Sequence, residues 1–176
     1  MVTVVALAPV IPQALALRSP KQLEEEVEKR TRELEFARRH ANLVIETAPA
    51  GMIMIDKDGL VLLFNAAAEA MCGYDRSELL GQPIERLIPE RFRREHPEHR
   101  QGFFADPKAR RMGSGRDLSG LRKDGSEFPI EIGLNPVKTE KGLCVLSAIV
   151  DITDRKQAEC RVQDANERLM RSNAEL

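Results

Sequence analysis

Apolar and polar positions change rhythm twice along the chain. From Leu23 to Val44 a helical seam recurs at alternating spacings of four and three: Leu23, Val27, Arg30, Leu34, Ala37, Ala41 and Val44, with Arg30 the one poor core residue. Ser19 suits the N-cap, Pro20 the first helical position and Gln22 the closing of a capping box, so the helix is predicted from Pro20 to about Ile45. Glu25/Lys29, Glu26/Arg30, Glu28/Arg32 and Glu35/Arg39 stand in the favoured order for ion pairs along a helix. Such pairs solvate a helix and bind no ligand.

From Met52 the rhythm is that of strands. Met52-Ile-Met-Ile55, the turn Asp56-Lys-Asp-Gly59 and Leu60-Val-Leu-Leu-Phe64 predict a hairpin whose loop holds suitable turn residues. Asn65 can cap a short helix, Ala66 to Met71, which Gly73 ends. Asp75 to Gly81 makes a further helical turn closed by glycine. Ile84 to Arg94 continues helically, interrupted at Pro89. After an irregular stretch come strands at Arg116 to Arg122, Phe128 to Pro136 and Leu143 to Asp151, the first two joined by a turn at Lys123-Asp-Gly125. Two strands, several short helices and three strands predict an α+β domain: a five-stranded antiparallel sheet with helices on one face.

The last strand holds the continuous apolar positions Val145, Leu146, Ala148, Ile149 and Val150, which suit burial on both faces. It passes without a spacer into a second seam, Ala158, Val162, Ala165, Leu169, Ser172 and Leu176. Thr153 is the expected cap, its hydroxyl accepting from a free helical N–H. Any shift of the strand would move the helix. The expected organisation is an apolar lead (1–19), a dimerising helix (20–42), a domain (43–154) and a coiled-coil output helix (155–176).

A chain of 176 residues holds one domain with a real core plus extensions. With 27 basic against 28 acidic residues no global field points to nucleic acid or an anionic membrane, and with no Trp and one Tyr there is no base-stacking platform. No nucleic-acid partner is expected. Cys72, Cys144 and Cys160 fit reduced cytoplasmic thiols better than a disulfide frame or a zinc site. The lead from Val2 to Leu17 is broken by Pro9 and Pro12 and falls short of the roughly 20 residues of a membrane span. It reads as a poorly ordered lead, or as the remnant of a membrane-anchored parent. No phosphate-cradling glycine loop and no nucleophile motif is present, so a regulatory module is expected rather than an enzyme. A kinase or cyclase output would lie outside this chain.

Four blocks carry a family resemblance: Gly59-Leu-Val-Leu-Leu-Phe-Asn65, Gly73-Tyr-Asp-Arg-Ser-Glu-Leu-Leu-Gly81, Arg122-Lys-Asp-Gly-Ser-Glu-Phe-Pro129 and Asp151-Ile-Thr-Asp-Arg-Lys156. In order and spacing they resemble the PAS sensor domain over roughly Leu43 to Lys156. The resemblance implies a ligand pocket between the sheet and the helices. It also implies a parallel homodimer through the flanking helices, and a signal carried to an effector such as a histidine kinase or cyclase domain. The acidic residue at Asp151 is expected to tie the exit helix to the domain, making Asp151 and Thr153 the relay. A flavin photoreceptor would show Asn-Cys-Arg-Phe-Leu-Gln where this chain has Gln82-Pro-Ile-Glu-Arg-Leu87, so the adduct-forming cysteine is missing.

The stretch Ile88 to His99, with Met112-Gly-Ser-Gly-Arg-Asp-Leu118, is similar to the FixL and Dos type of haem oxygen sensor. That resemblance puts His96 at the iron ligand of a b-type haem and Arg116 at the arginine that bonds the bound diatomic gas. Ile130, Ile132 and Leu134 share one strand face and would cover the porphyrin, and Arg110 could meet a propionate. Arg111 and Ser114 depart from the apolar or methionine residues found there in the haem sensors, and Gly102 replaces a propionate arginine. Two alternatives stay open at the residue level: His96 as a solvated surface group, and Arg116 as a strand anchor paired with Glu95 or Glu98. His40 and His99 have no partner at metal-site spacing. The two functional readings are a haem-based gas sensor and a cofactor-free dimerisation and relay module or small-metabolite sensor.

Overall fold

A computed structural model of the chain describes residues 19–112, 117–140 and 142–174, with side chains as far as Arg171 at the C-terminal end. The apolar lead, Ser114, Arg116, the Ser172 side chain and Leu176 lie outside the described residues. Two compact units divide at Asn42 and Leu43. Among the described residues no helix is long and apolar enough to cross a membrane.

The first unit is the body of helix α1 (Pro20–Glu46), whose last turn belongs to the second. Its start is a capping box: the Ser19 amide donates to Gln22 Oε1 at 3.0 Å and the Gln22 amide to Ser19 Oγ at 3.3 Å. Arg30 pairs with Glu26, Arg32 with Glu28 and Arg39 with Glu35. Lys29 differs from expectation and pairs forward, with Glu33. The seam residues Leu23, Val27 and Leu34 are all exposed.

The second unit runs through β1 (Gly51–Ile55), β2 (Val61–Phe64), α2 (Ala66–Cys72), α3 (Arg76–Leu79), a 3-10 turn (Ile84–Leu87), α4 (Glu90–Arg93) and α5 (His96–Ala105). Then come β3 (Arg110–Met112), β4 (Leu118–Leu121), β5 (Glu127–Thr139), β6 (Gly142–Asp151) and α6 (Thr153–Ala174). The strands form one antiparallel sheet in the order β2-β1-β6-β5-β3, with β4 also on β5.

Among the described residues the sheet has six strands where five were expected, because one long strand serves two short ones. β3 pairs with Ile132 to Leu134 and β4 with Glu127 to Ile130, so both lie along the same edge of β5. The stretch expected to be irregular holds α5 and β3. Helix α5 escapes a periodicity reading because half of its residues are polar and Phe103 is its one fully buried side chain. Tertiary contacts hold it, as the site geometry shows.

Inward positions of the strands, Ile53, Ile55, Val61, Phe64, Phe128, Ile130 and Val145, meet Ala68 of α2, Leu79 of α3, Leu87 of the 3-10 turn and Phe103 of α5 in one core. Each large side chain there contributes about 1.5–3 kcal/mol by leaving water. The β6 strand is not buried on both faces as its composition predicts. Cys144 and Val145 are buried, but Val150 is 46% exposed, because the outward sheet face is only partly covered. Glu131, next to Ile130 and so on that outward face, pairs with Arg155 of α6 at 2.5 Å.

Asn65 is the buried polar hub. Its Oδ1 caps α2 through the Ala68 amide at 3.0 Å, as predicted, and also accepts from the Met52 amide at 2.8 Å. Its Nδ2 donates to the carbonyls of Ile45 at 2.9 Å and Ala50 at 3.1 Å, so one side chain joins the end of α1, β1 and α2. A second tie lies on the surface beside it. Arg76 donates to both oxygens of Glu46, at 2.6 and 3.0 Å, and to Glu69 at 2.7 Å.

Candidate functional site

The site starts from the N-terminal turn of α5. His96 opens the helix, and its Nδ1 lies 2.9 Å from Oε1 of Glu85 on the 3-10 turn. One helical turn later, Arg100 Nη2 lies 3.6 Å from the same oxygen, while its Nη1 donates to the Lys57 carbonyl in the β1–β2 turn at 3.1 Å. The turn makes room for it with Gly59, whose φ of +84° favours glycine and whose missing Cβ would stand 2.1 Å from the Arg100 Nη1. Arg100 Nε is buried and makes no hydrogen bond. The His96, Glu85 and Arg100 side chains are 22%, 17% and 12% exposed, so His96 is a held, mostly buried ring and not a solvated surface group. His99 is exposed, and His40 stacks on Phe36 in α1.

Helix α5 also carries Phe103 into the core against β5. Ile130 is buried there, and Ile132 and Leu134 pack partly buried on the same cluster. The apolar strand face expected from the alternation therefore exists, and its buried end at Ile130 shares one core cluster with Phe103 and Phe128. Arg110, on β3, is exposed and its guanidinium sits 5.0 Å over the Phe103 ring. Arg116 lies outside the described residues.

These residues fit a haem in their donor chemistry. An imidazole whose Nδ1 engages a carboxylate keeps Nε2 for a metal, the usual arrangement of a metal-binding histidine. Among the described residues no group of three or more His, Cys, Asp or Glu side chains is gathered around a common centre. His96 would thus hold iron only within a prosthetic group that brings its own donors.

The relay residues meet at the end of the sheet. Asp151 Oδ2 accepts from Arg122 Nη2 at 2.7 Å, and Oδ1 accepts from the Thr153 amide at 2.8 Å and its hydroxyl at 2.5 Å. The predicted cap is therefore reversed. Thr153 is the first helical residue and its hydroxyl donates, because the carboxylate two residues earlier is the stronger acceptor and is favoured at a helix N-terminus. Burial raises the Asp151 carboxyl, but the Thr153 and Arg122 bonds outweigh it and hold it below the usual aspartate value. Arg122 also donates to the Met71 carbonyl at the end of α2 and stacks 3.9 Å over the Phe128 ring. The buried Ile152 donates its amide to the Pro129 carbonyl at 3.0 Å, and Lys156 pairs with Asp117 at 2.6 Å.

Glu85, Arg100 and Arg122 were not singled out by their sequence pattern. Acids interleaved with bases from Arg86 to Lys123 read as a mixed solvated face, and the partners here are remote in sequence. The only sequence signal was Arg122 heading one of the four resemblance blocks. Cys72 lies buried beneath Arg122 and Asp151, and burial pushes its thiol up to about 11.

A family model described as the PAS fold matches residues 39–152. Sensor protein FixL of Bradyrhizobium diazoefficiens is 29% identical over 131 residues, which cover 74% of this chain and 26% of that protein. Oxygen sensor protein DosP of Escherichia coli is 35% identical over 107 residues, covering 61% of this chain and 13% of that protein. The chain thus spans no more than about a quarter of either relative. Among solved structures, the PAS domain of an HTR-like protein from Haloarcula marismortui superposes with a TM-score of 0.62 at 25% identity, covering 71% of this chain and 99% of that one.

Proposed function

The chain belongs to the PAS family, and on that premise we propose that it is the sensing module of a bacterial-type signal-transduction protein. Its ligand state reaches α6 through Arg122, Asp151 and Thr153. The ligand group is a b-type haem held by His96, and the signal is oxygen or another diatomic gas. The observation that carries this reading is the His96 ring fixed on Glu85 at 2.9 Å, two turns before Phe103 on the same face of α5, where Phe103 enters the core cluster that holds Ile130 of β5. It is supported by similarity to FixL and to DosP, the latter named an oxygen sensor.

When bound, the haem supplies an iron centre that takes up the gas. The chain's own residues do the rest. His96 would offer Nε2 to the iron, and Ile130, Ile132 and Leu134 would supply an apolar wall that excludes water from the group. Arg110 would offer a cation to a propionate, and the resemblance to the haem sensors assigns Arg116 the bond to the gas. The exposed seams of α1 and α6 suit a parallel homodimer, and α6 hands the signal to an effector such as a histidine kinase or cyclase domain. The chain performs no catalysis itself.

One observation favours a second reading, a cofactor-free relay or small-metabolite sensor. Phe103 and Phe128, at 3% and 4% exposure, pack into the core beside Ile130, so a haem must displace them. Haemin titration of the full chain separates the two. A Soret band that shifts with oxygen or carbon monoxide and is abolished in His96→Ala supports the haem sensor, and a protein that takes up no haemin rejects it.

A further inference from the structure

We propose that Glu85 is the positioning residue for His96: it locks the ring as the Nδ1–H tautomer and leaves Nε2 as the bare nitrogen that an iron would take. As a statement about iron this rests on the haem reading above. A neutral imidazole carries one N–H and one lone pair, and an ionised carboxylate only accepts. With Glu85 Oε1 2.9 Å from Nδ1, the ring proton belongs on Nδ1.

Glu85 is well placed to dictate this and not to follow it. Its 3-10 turn is anchored by the Ile84 amide on the Gly59 carbonyl at 2.9 Å, and the Ile88 amide closes on the Glu85 carbonyl at 3.2 Å. The same carboxylate oxygen is also met by Arg100, 3.6 Å away, whose guanidinium is fixed by the Lys57 carbonyl and lies over Gly59. Arg100 Nε is left buried without a partner. An orphaned donor of this kind is costly, so the guanidinium sits where the Glu85 contact and the turn require it rather than where its own bonding is best. One carboxylate thus orients an imidazole while a neighbouring cation steadies it. A carboxylate on the remote nitrogen also raises the basicity of the coordinating one.

Imidazole nitrogen NMR on the full chain without haem, under mildly alkaline conditions and with His96→Gln identifying the resonances, reads the tautomer directly. The expected result is a protonated Nδ1 and a bare Nε2, with Glu85→Ala moving the proton to Nε2, the form a free imidazole prefers. A protonated Nε2 in the unmodified protein, or an Ala variant that keeps the Nδ1–H form, overturns the proposal. Should Glu85→Ala fail to fold, the isosteric Glu85→Gln is expected to populate both tautomers, and an unmixed Nδ1–H form there counts against it equally.

Haemin titration reads the second half. Glu85→Ala should bind haemin roughly 10- to 100-fold more weakly and lower the iron–histidine stretching frequency of the ferrous protein. Unchanged affinity and frequency overturn the positioning role toward iron. An unmodified protein that takes up no haemin but shows the Nδ1–H ring overturns the haem reading, and leaves the hold of Glu85 on His96 confirmed.

Discussion

Arg122 meets Asp151 at 2.7 Å across a separation of 29 residues, and the pair joins the end of α2 to the start of α6. The guanidinium touches the Met71 carbonyl, the Phe128 ring and the Asp151 carboxylate at once. The carboxylate in turn holds the first residue of α6 by its amide and hydroxyl. A displacement of β5 or of α2 therefore reaches the helix through charge-assisted bonds as well as through the strand.

Asp151→Ala should uncouple ligand state from effector output while leaving ligand binding intact, at a stability cost of about 1–2 kcal/mol. Amide exchange in the first turn of α6 should rise with it. Loss of ligand binding instead would remove Asp151 from the relay. The Asp151 carboxyl is held below its ordinary value of 3.8, so its stabilisation is present above that pH and disappears as the pH falls through the lowered value.

The Arg76 tie predicts an acid-sensitive contact. Glu46 and Glu69 are both held below the ordinary 4.5, in each case chiefly by the hydrogen bond from Arg76. Their contribution is complete above 4.5 and is lost on acidification through the lowered values. Arg76→Ala should cost about 1 kcal/mol, a figure kept small because these groups are partly solvated. It should also flatten the acid limb of the stability curve, and identical acid unfolding of the two proteins would dismiss the tie.

Asn65→Ala leaves two amides and two carbonyls without their partner in a fully buried position. The expected loss is roughly 3 kcal/mol or more. Asn65→Asp should be no better at neutral pH, since it keeps the acceptor but removes both donors to Ile45 and Ala50 and buries a charge. Thermal melts of the two variants check this.

Gly59→Ala combines a left-handed backbone with a collision against Arg100. It should destabilise by about 1–3 kcal/mol. Part of that loss disappears when Arg100 is already alanine, so the double mutant should be less damaged than the sum of the single ones. Strict additivity would show that the guanidinium does not rest on the turn.

Removing residues 1–42 should lower the number of copies per particle found by sedimentation if the exposed Leu23, Val27 and Leu34 seam joins two copies. An unchanged number of copies would deny α1 that role.

Local chemistry was legible in the sequence, and remote pairing was not. The hairpin turn could be read because Asp56 serves its own neighbourhood, its Oδ1 accepting from the Asp58 and Leu60 amides at 2.9 Å each. The Ser19 box and the Asn65 cap are local in the same way. The other bonds of Asn65 span up to 20 residues, and nothing in the spacing announces them. Helix α5 was missed because it is held by Glu85 and the Lys57 carbonyl instead of by an apolar stripe. The three-residue β3 is too short to show alternation. At the candidate site His96 was found by resemblance, whereas Glu85 and Arg100 became visible only when the fold set them against one oxygen.

Only Ile152 separates the last residue of β6 from the first of α6. With so short a joint the helix inherits its rotational setting from the sheet. Inserting one residue beyond Thr153 would turn the stripe bearing Val162 and Leu169 by roughly 100° and advance it by about 1.5 Å, and seven residues would bring it back to within about 20°. Whatever packs on that stripe reads an angle. Spacer length downstream of Thr153 is therefore constrained in steps of a heptad, even where the individual side chains are free to vary.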